Sequence, residues 1–465
     1  MSNAYALTQP AGGAVQVPAH ERVVLPNGIT LLIVPSRDVP LVAFHAILRG
    51  GALGDPRAVC ADASRASGKA GVASLVAGLL EKGAGDRDAF AFADAVEGAG
   101  GNFAVVSGAE AISLSGQFLA RDQRLMLELL ADALLRPRFD AAEFETLRAR
   151  RIELIKAAKD SDPAELIGTY GRALLFDGHP YRQPVNGSEA SLAAITHQDV
   201  LDYYSAHFGA DRLILVFAGD VDVAAITRDV TQAFGSLGPA ATALAPVPEP
   251  ARAQGRRVLL VDSPDSAQTY FWIANVGVNK RYPEHAALDL VNALYGGRFT
   301  SILNTALRIK SGLSYGARAG FTRSTAAGEF AIRSFTNTEN AGKALALSLE
   351  TLQRLKKDGV TAEMLTSASA YLLGQYPLNF ETAADWAAAL VELEFYGLGA
   401  DYIDDYATSL REVTLQAARA VIDTAFPASS DVAIVLIGDA KKLRRVARRY
   451  GDVTEMSIMQ PEFLR

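Results

Sequence analysis

The 465-residue sequence contains a single cysteine, Cys60, which excludes an internal disulfide and every metal site built on paired thiolates. It holds six histidines, His20, His45, His179, His197, His207 and His285. No two of them lie three or four residues apart, so no helix face offers a metal two imidazoles. Long apolar runs are missing as well, and without about 18 consecutive apolar residues there is no membrane-spanning helix. Positive charge is not in excess: 45 Lys and Arg face 52 Asp and Glu, a formal net charge of −7 that excludes a general affinity for nucleic acid. No glycine-rich phosphate loop follows a strand, for Gly296-Gly297 precedes a helical pattern without the rest of such a motif. The opening Met1-Ser2-Asn3-Ala4 lacks the charged and apolar regions of a secretory signal and reads as a remnant in place of a removed leader. The stretch from there to about Ala19 is expected to be a mobile arm.

What is present is ample apolar material, 49% of the residues, in a chain long enough for two to four domains. The most basic stretch, 441–449, carries Leu443, Val446, Ala447 and Tyr450 at helical spacing and reads as a helix with one buried face. Near the midpoint a Pro/Ala-rich segment from Gly238 to Pro250 interrupts all periodicity, as an extended linker would. The two flanking halves resemble each other. Residues 196–220 (THQDVLDYYSAHFGADRLILVFAGD) and 414–439 (TLQAARAVIDTAFPASSDVAIVLIGD) each begin at a Thr suited to N-capping, continue as an amphipathic helix and end in an apolar strand closed by Gly-Asp. Internal duplication explains this, with halves at 20–237 and 256–465 joined by a linker at 238–255.

Asn27-Gly28 marks a hairpin over 21–35. Strands are expected at 39–48 and within 102–118, and helices at 70–82, 87–99, 121–135 and 141–160. The second half repeats the rhythm, with strands at 257–263 and 268–276, helices at 283–295 and 299–310, and strands over 315–335. Strands and helices are mixed without strict alternation. The fold class is therefore α+β, each half a mostly antiparallel sheet with helices packed on one face.

Residues 68–85 read GKAGVASLVAGLLEKGAG. The Gly-x-Ala entry, the apolar helix and the Leu-x-Lys-Gly exit resemble the zinc helix of pitrilysin-like (insulinase) peptidases, which include the mitochondrial processing peptidases. In that family His-x-x-Glu-His supplies two ligands and a general base on one helix. At the corresponding positions stand Ser74, Ala77 and Gly78. A third ligand, a glutamate, would come from about 75 residues onward, where this chain has Leu154 or Ile155; Glu153 is adjacent but turned about 100° away. These residues are non-ligating. His179, in the loop DGHPYRQPVNG at 177–187, resembles a structural loop of the same family.

The second half contains GGRFTSILNTALRIKSGLSYGARAGF, 296–321. It resembles the family's other diagnostic segment, in which an arginine and a tyrosine seven residues later hold the scissile carbonyl. Arg308 and Tyr315 match that spacing. Arginine offers a charged donor fork and tyrosine a neutral donor, both suited to a developing oxyanion. Taken singly, Arg308 would close a helix at its negative pole and Tyr315 would fill a strand face.

The resemblance implies a clam-shell half-chamber and a divided active site. This chain would be the zinc-free subunit of a two-chain bacterial peptidase, with Arg308 and Tyr315 as its catalytic residues. It would need no cofactor itself, zinc being held by a homologous His-x-x-Glu-His partner, and would bind peptide substrate. The expected setting is the periplasm, otherwise the cytoplasm. The rival reading is a scaffold or substrate-binding subunit without a catalytic share, as in the core proteins of respiratory bc1 complexes.

Overall fold

The computed structural model describes residues 15–56 and 68–463; Cys60 and the first fourteen residues lie outside them. The first half builds a six-stranded sheet from β1 (Glu21–Val24), β2 (Thr30–Pro35), β3 (Leu41–Arg49), β4 (Asn102–Ser107), β5 (Ala111–Leu119) and β6 (Leu213–Gly219), in the order β1-β2-β6-β3-β5-β4. The second half builds another from β7 (Arg256–Asp262), β8 (Gln268–Val276), β9 (Ala317–Phe321), β10 (Glu329–Asn337), β11 (Val432–Gly438) and β12 (Asp452–Ser457), in the order β9-β10-β8-β11-β7-β12. Setting aside β1 and β12, both sheets thread their five strands in the same sequence, and in both the last strand of the repeat pairs in parallel with the first. The remaining pairings of those five strands are antiparallel.

The two strands that close the repeats, LILVFAG and VAIVLIG, are buried at every position, and this follows from cover on both faces. Alternate residues serve opposite cores, because successive side chains of a strand point to opposite sides. Leu213, Leu215 and Phe217 join the core formed with the first half's own helices, whereas Ile214, Val216 and Ala218 face Ala387, Leu390 and Val391. Those three belong to a helix of the second half. The converse holds in the second sheet: Val432, Ile434 and Leu436 face its own helices, and Ala433, Val435 and Ile437 pack with Tyr170 and Leu174 from the first half.

Four helices matter below: α1 (Val72–Leu79), α2 (Ala141–Ser161), α3 (Ile167–Leu175) and α4 (Ala383–Tyr396). The halves exchange two of them, α3 lying on the second sheet and α4 on the first. Gly171 lets α3 approach, since a Cβ there would stand 2.6 Å from the ring of Trp272. A forked ion pair between Arg22 and Glu394 (2.9 and 2.8 Å) and the stacking of Arg49 on Phe395 (4.6 Å) fasten the outer end of α4.

Two local expectations are corrected. Residues 15–19, read as part of a mobile arm, are docked: Val15 and Val17 pack beside α4, and the Val17 N–H donates to Asp404. The helix expected over 299–310 is one α-turn, Ile302–Asn304, followed by a π-helical turn, Thr305–Lys310. The Ser311 N–H reaches back five residues to the Ala306 carbonyl at 3.2 Å, and Gly312 then leaves the turn at positive φ.

Candidate functional site

The motif helix α1 begins without a side-chain cap of its own. The buried carboxylate of Asp55 takes that part, accepting the Gly71 and Ala73 N–H groups at 2.7 Å each. Burial pushes the Asp55 carboxyl up to about 7 despite these two donors. From Val72 to Ala77 the helix is wholly buried, so Ser74 and Ala77 meet protein rather than solvent, and Gly78 is half-buried.

Zinc in a site of this kind needs nitrogen or carboxylate donors, and the residues here do not fit it. Ser74 offers a hydroxyl, Ala77 a methyl and Gly78 no side chain. Leu154 is 58% exposed and carries no donor, Ile155 packs into the apolar core, and Glu153 turns away to pair with Lys156 at 2.9 Å. The space is filled instead. Arg151 on α2 donates through Nη1 to Ser74 Oγ, and Ser74 donates to Asn186 Oδ1 at 2.9 Å. Its Nη2 stands 2.9 Å from where a Cβ on Gly78 would be, and so does a methyl of Leu147 one turn earlier on α2. A guanidinium therefore occupies the position facing the motif residues. Burial holds it down to about 10, so it stays charged at neutral pH, and no carboxylate among the described residues pairs with it.

The six histidines do not converge. His45 bonds Ser113, His179 bonds the Pro248 carbonyl, His197 bonds the Phe139 carbonyl, His207 contacts Arg212, and His285 stacks on Tyr402. His20 bonds its neighbour Pro18. Among the described residues no three His, Cys, Asp or Glu side chains are grouped to hold a metal.

Arg308 and Tyr315 are brought together. The π-turn carries Arg308, and a pinned loop carries Tyr315: Ser314 N–H donates to the Leu307 carbonyl (3.1 Å), and Ser334 Oγ donates to Ser314 Oγ (2.9 Å). Buried Asn304 ties both to the sheet, accepting the Ala317 N–H at 3.1 Å and donating to the Phe299 carbonyl at 2.7 Å. The Arg308 guanidinium lies 4.4 Å from the Tyr315 ring centre and 4.9 Å from that of Phe299. Tyr315 is 75% exposed and stands just before β9 rather than on a strand face. Neither the guanidinium nor the phenol makes a hydrogen bond to any described residue, so their donors are unspent.

Both line a cleft of about 910 Å³ that runs along β9, the terminal strand of the second sheet, with Ala164 and Ile167 of the first half at its margin. A Cβ at Gly316 or Gly320 would meet nothing within 4 Å, so the backbone is open at those two positions, whereas Gly296 closes on Ala319 between them.

The pairing of Arg308 with Tyr315 was legible only through the resemblance of 296–321 to the family's segment, whose spacing they match. Arg151 was not singled out in the sequence, although Leu147, Arg151 and Leu154 follow one another at four and three residues and so share one face of α2. Asp55 carried no sequence signal, because its role depends on a chain reversal before α1.

Two family descriptions match the chain. Residues 64–182 match "Insulinase (Peptidase family M16)" and residues 194–372 match "Peptidase M16 inactive domain", together well over half its length. An uncharacterized zinc protease of Mycobacterium tuberculosis is 25% identical over 354 residues, 76% of this chain and 80% of that protein. The non-peptidase homolog YmxG of Helicobacter pylori is 22% identical over 409 residues, 87% and 90% respectively. Among solved structures, a peptidase M16 inactive domain from Pseudomonas fluorescens superposes with a TM-score of 0.81 at 24% identity, covering 90% of this chain and 98% of its own. At that identity the likeness speaks for the fold.

Proposed function

The chain belongs to the insulinase family of peptidases, family M16, and from that premise we propose that it is the zinc-free subunit of a two-chain metallopeptidase. A homologous subunit bearing His-x-x-Glu-His would supply metal, water and general base. This chain would bind the peptide and direct Arg308 and Tyr315 at the scissile carbonyl. The observation that carries the reading is that pair: stacked on each other, held by a pinned loop, facing a long cleft, with every polar hydrogen unspent. A tetrahedral intermediate concentrates negative charge on one oxygen. A charged fork beside a phenol meets it with two donors that need no reorganisation.

The rest of the chain supports a divided site. The residues at 74, 77, 78 and 154 do not suit zinc, while those proposed to hold the carbonyl lie stacked on one another beside the cleft. Peptide would add as a strand beside a sheet edge, its main chain bonded and its side chains in the cleft. The resemblance to two-chain bacterial members supports a periplasmic setting for such a complex.

The test is to purify this chain with a His-x-x-Glu-His homologue encoded beside it. Peptide cleavage by the mixture, and by neither chain alone, supports the reading. A stable mixed complex that cleaves nothing, with zinc bound in the partner, assigns the chain a scaffold role instead.

A further inference from the structure

The cleft beside β9 has a charge of its own, opposite to that of the chain as a whole. Four arginines line it, Arg298, Arg308, Arg318 and Arg333, against a single carboxylate, Glu329. Glu329 is already committed, bonded to Arg333 at 2.8 Å and lying 3.9 Å from Arg172. Arg298, Arg308 and Arg318 have no acidic partner among the described residues. Arg298 donates only to the hydroxyl of Ser367 (3.0 Å), and its buried Nε has no partner.

The register sharpens this. Arg318 on β9 stands directly opposite Arg333 on β10. Like charges at facing positions of an antiparallel pair destabilise it. One carboxylate shared by Arg333 and Arg172 does not neutralise Arg318. In a protein of net charge −7, three guanidinium groups lining one cleft without an acidic partner among the described residues form a local positive field.

We infer that the cleft along β9 takes an acidic peptide, whose main chain lies beside the strand and whose carboxylates meet Arg298 and Arg318. The main-chain edge favours a peptide over a nucleic acid. β9 is the end strand of its sheet, and although the Ala317 N–H is spent on Asn304 Oδ1, no other strand among the described residues pairs with its outer edge. The gaps at Gly316 and Gly320 give that chain room to approach. Arginine pairs with carboxylates through two parallel hydrogen bonds, and such pairs select by geometry as well as charge. The proposal deepens the peptide-binding part of the preceding reading, and it is tested on binding alone, without zinc or a partner subunit.

The experiment measures fluorescence anisotropy of the full chain with three labelled peptides of equal length, identical except that they carry Glu, Gln or Lys at alternate positions, and with a short single-stranded DNA. The Glu peptide should bind about tenfold or more tighter than the Gln peptide, the Lys peptide more weakly still, and the preference should shrink with added salt. In an Arg298→Gln/Arg318→Gln chain of unchanged melting temperature, Glu and Gln peptides should bind alike. Should that double variant misfold, Arg318→Gln alone should lower the Glu-over-Gln ratio by about threefold or more, with the Gln affinity kept. Equal affinities in the native chain, no binding of any peptide, tighter binding of the DNA, or a preference that survives the substitutions would each overturn the inference. Loss of cleavage in the mixed complex with this preference intact would instead count against the catalytic reading.

Discussion

Arg151 and Gly78 fit one another, and the fit bears on what the motif helix can hold. Glycine within a helix costs about 1 kcal/mol relative to alanine, yet its missing side chain leaves the space into which the guanidinium reaches. Restoring ligands alone should therefore not restore a metal. A chain carrying Ser74→His, Ala77→Glu, Gly78→His and Leu154→Glu is expected to hold little zinc after dialysis, and adding Arg151→Leu should raise its content toward ~1 per chain. Full zinc loading with Arg151 in place would refute this. Asp55 gives a second residue-scale expectation. Its carboxyl releases a proton near 4 when unfolded and near 7 when folded, so between those values the folded chain binds more protons. The contribution of Asp55 to stability then falls as pH rises from about 4 to 7, by at most about 1.4 kcal/mol per unit, and levels off above. In melting curves across that range the fall should be shallower in Asp55→Asn than in the native chain. A parallel pair of curves would contradict it. At the same scale, Arg308 and Tyr315 could be read from the resemblance of their segment to the family's. Arg151 and Asp55 could not, because a spacing shows which donors are gone and not which side chain moves into the gap.

At the scale of elements, hydrophobic pattern identified most strands and helices but not their neighbours. The runs at 213–219 and 432–438 are apolar throughout, which signals burial on both faces and leaves open what covers the second face. The answer is a helix from the opposite half in each case. An amphipathic pattern gives a helix one apolar face without saying which sheet it meets. That exchange makes α3 and α4 sensitive. Gly171→Ala drives a methyl into Trp272 and should cost about 1–3 kcal/mol. Leu390→Ala on α4 should cost about 2–5 kcal/mol. Urea midpoints at unchanged slope measure both, and changes below about 0.5 kcal/mol would mean that these contacts do not hold the helices. The π-turn at Thr305–Lys310 also escaped the pattern: its composition suits an ordinary helix, and the distortion arises where Asn304 and Ser314 bind the segment to the sheet.

For the whole molecule, the exchange of helices ties the halves into one cooperative body. Residues 20–237 expressed alone would leave Leu32, Val34, Ile214 and Val216 without α4, an exposed apolar sheet face. That fragment should aggregate or bind hydrophobic dye, whereas the full chain should melt in a single transition; a soluble fragment with native-like amide protection would contradict the interlocking. The duplicated topology has kept its frame and diverged in chemistry. The first repeat has put a guanidinium against its motif helix, and the second holds a stacked arginine and tyrosine beside the end strand of its sheet. The central claim concerns that second repeat, and steady-state peptide cleavage by the mixed complex tests it most directly. With Arg308→Ala or Tyr315→Phe in this chain, kcat should fall by about 10²–10³ while assembly and the partner's zinc content stay the same. Cleavage at the native rate by both variants would contradict it.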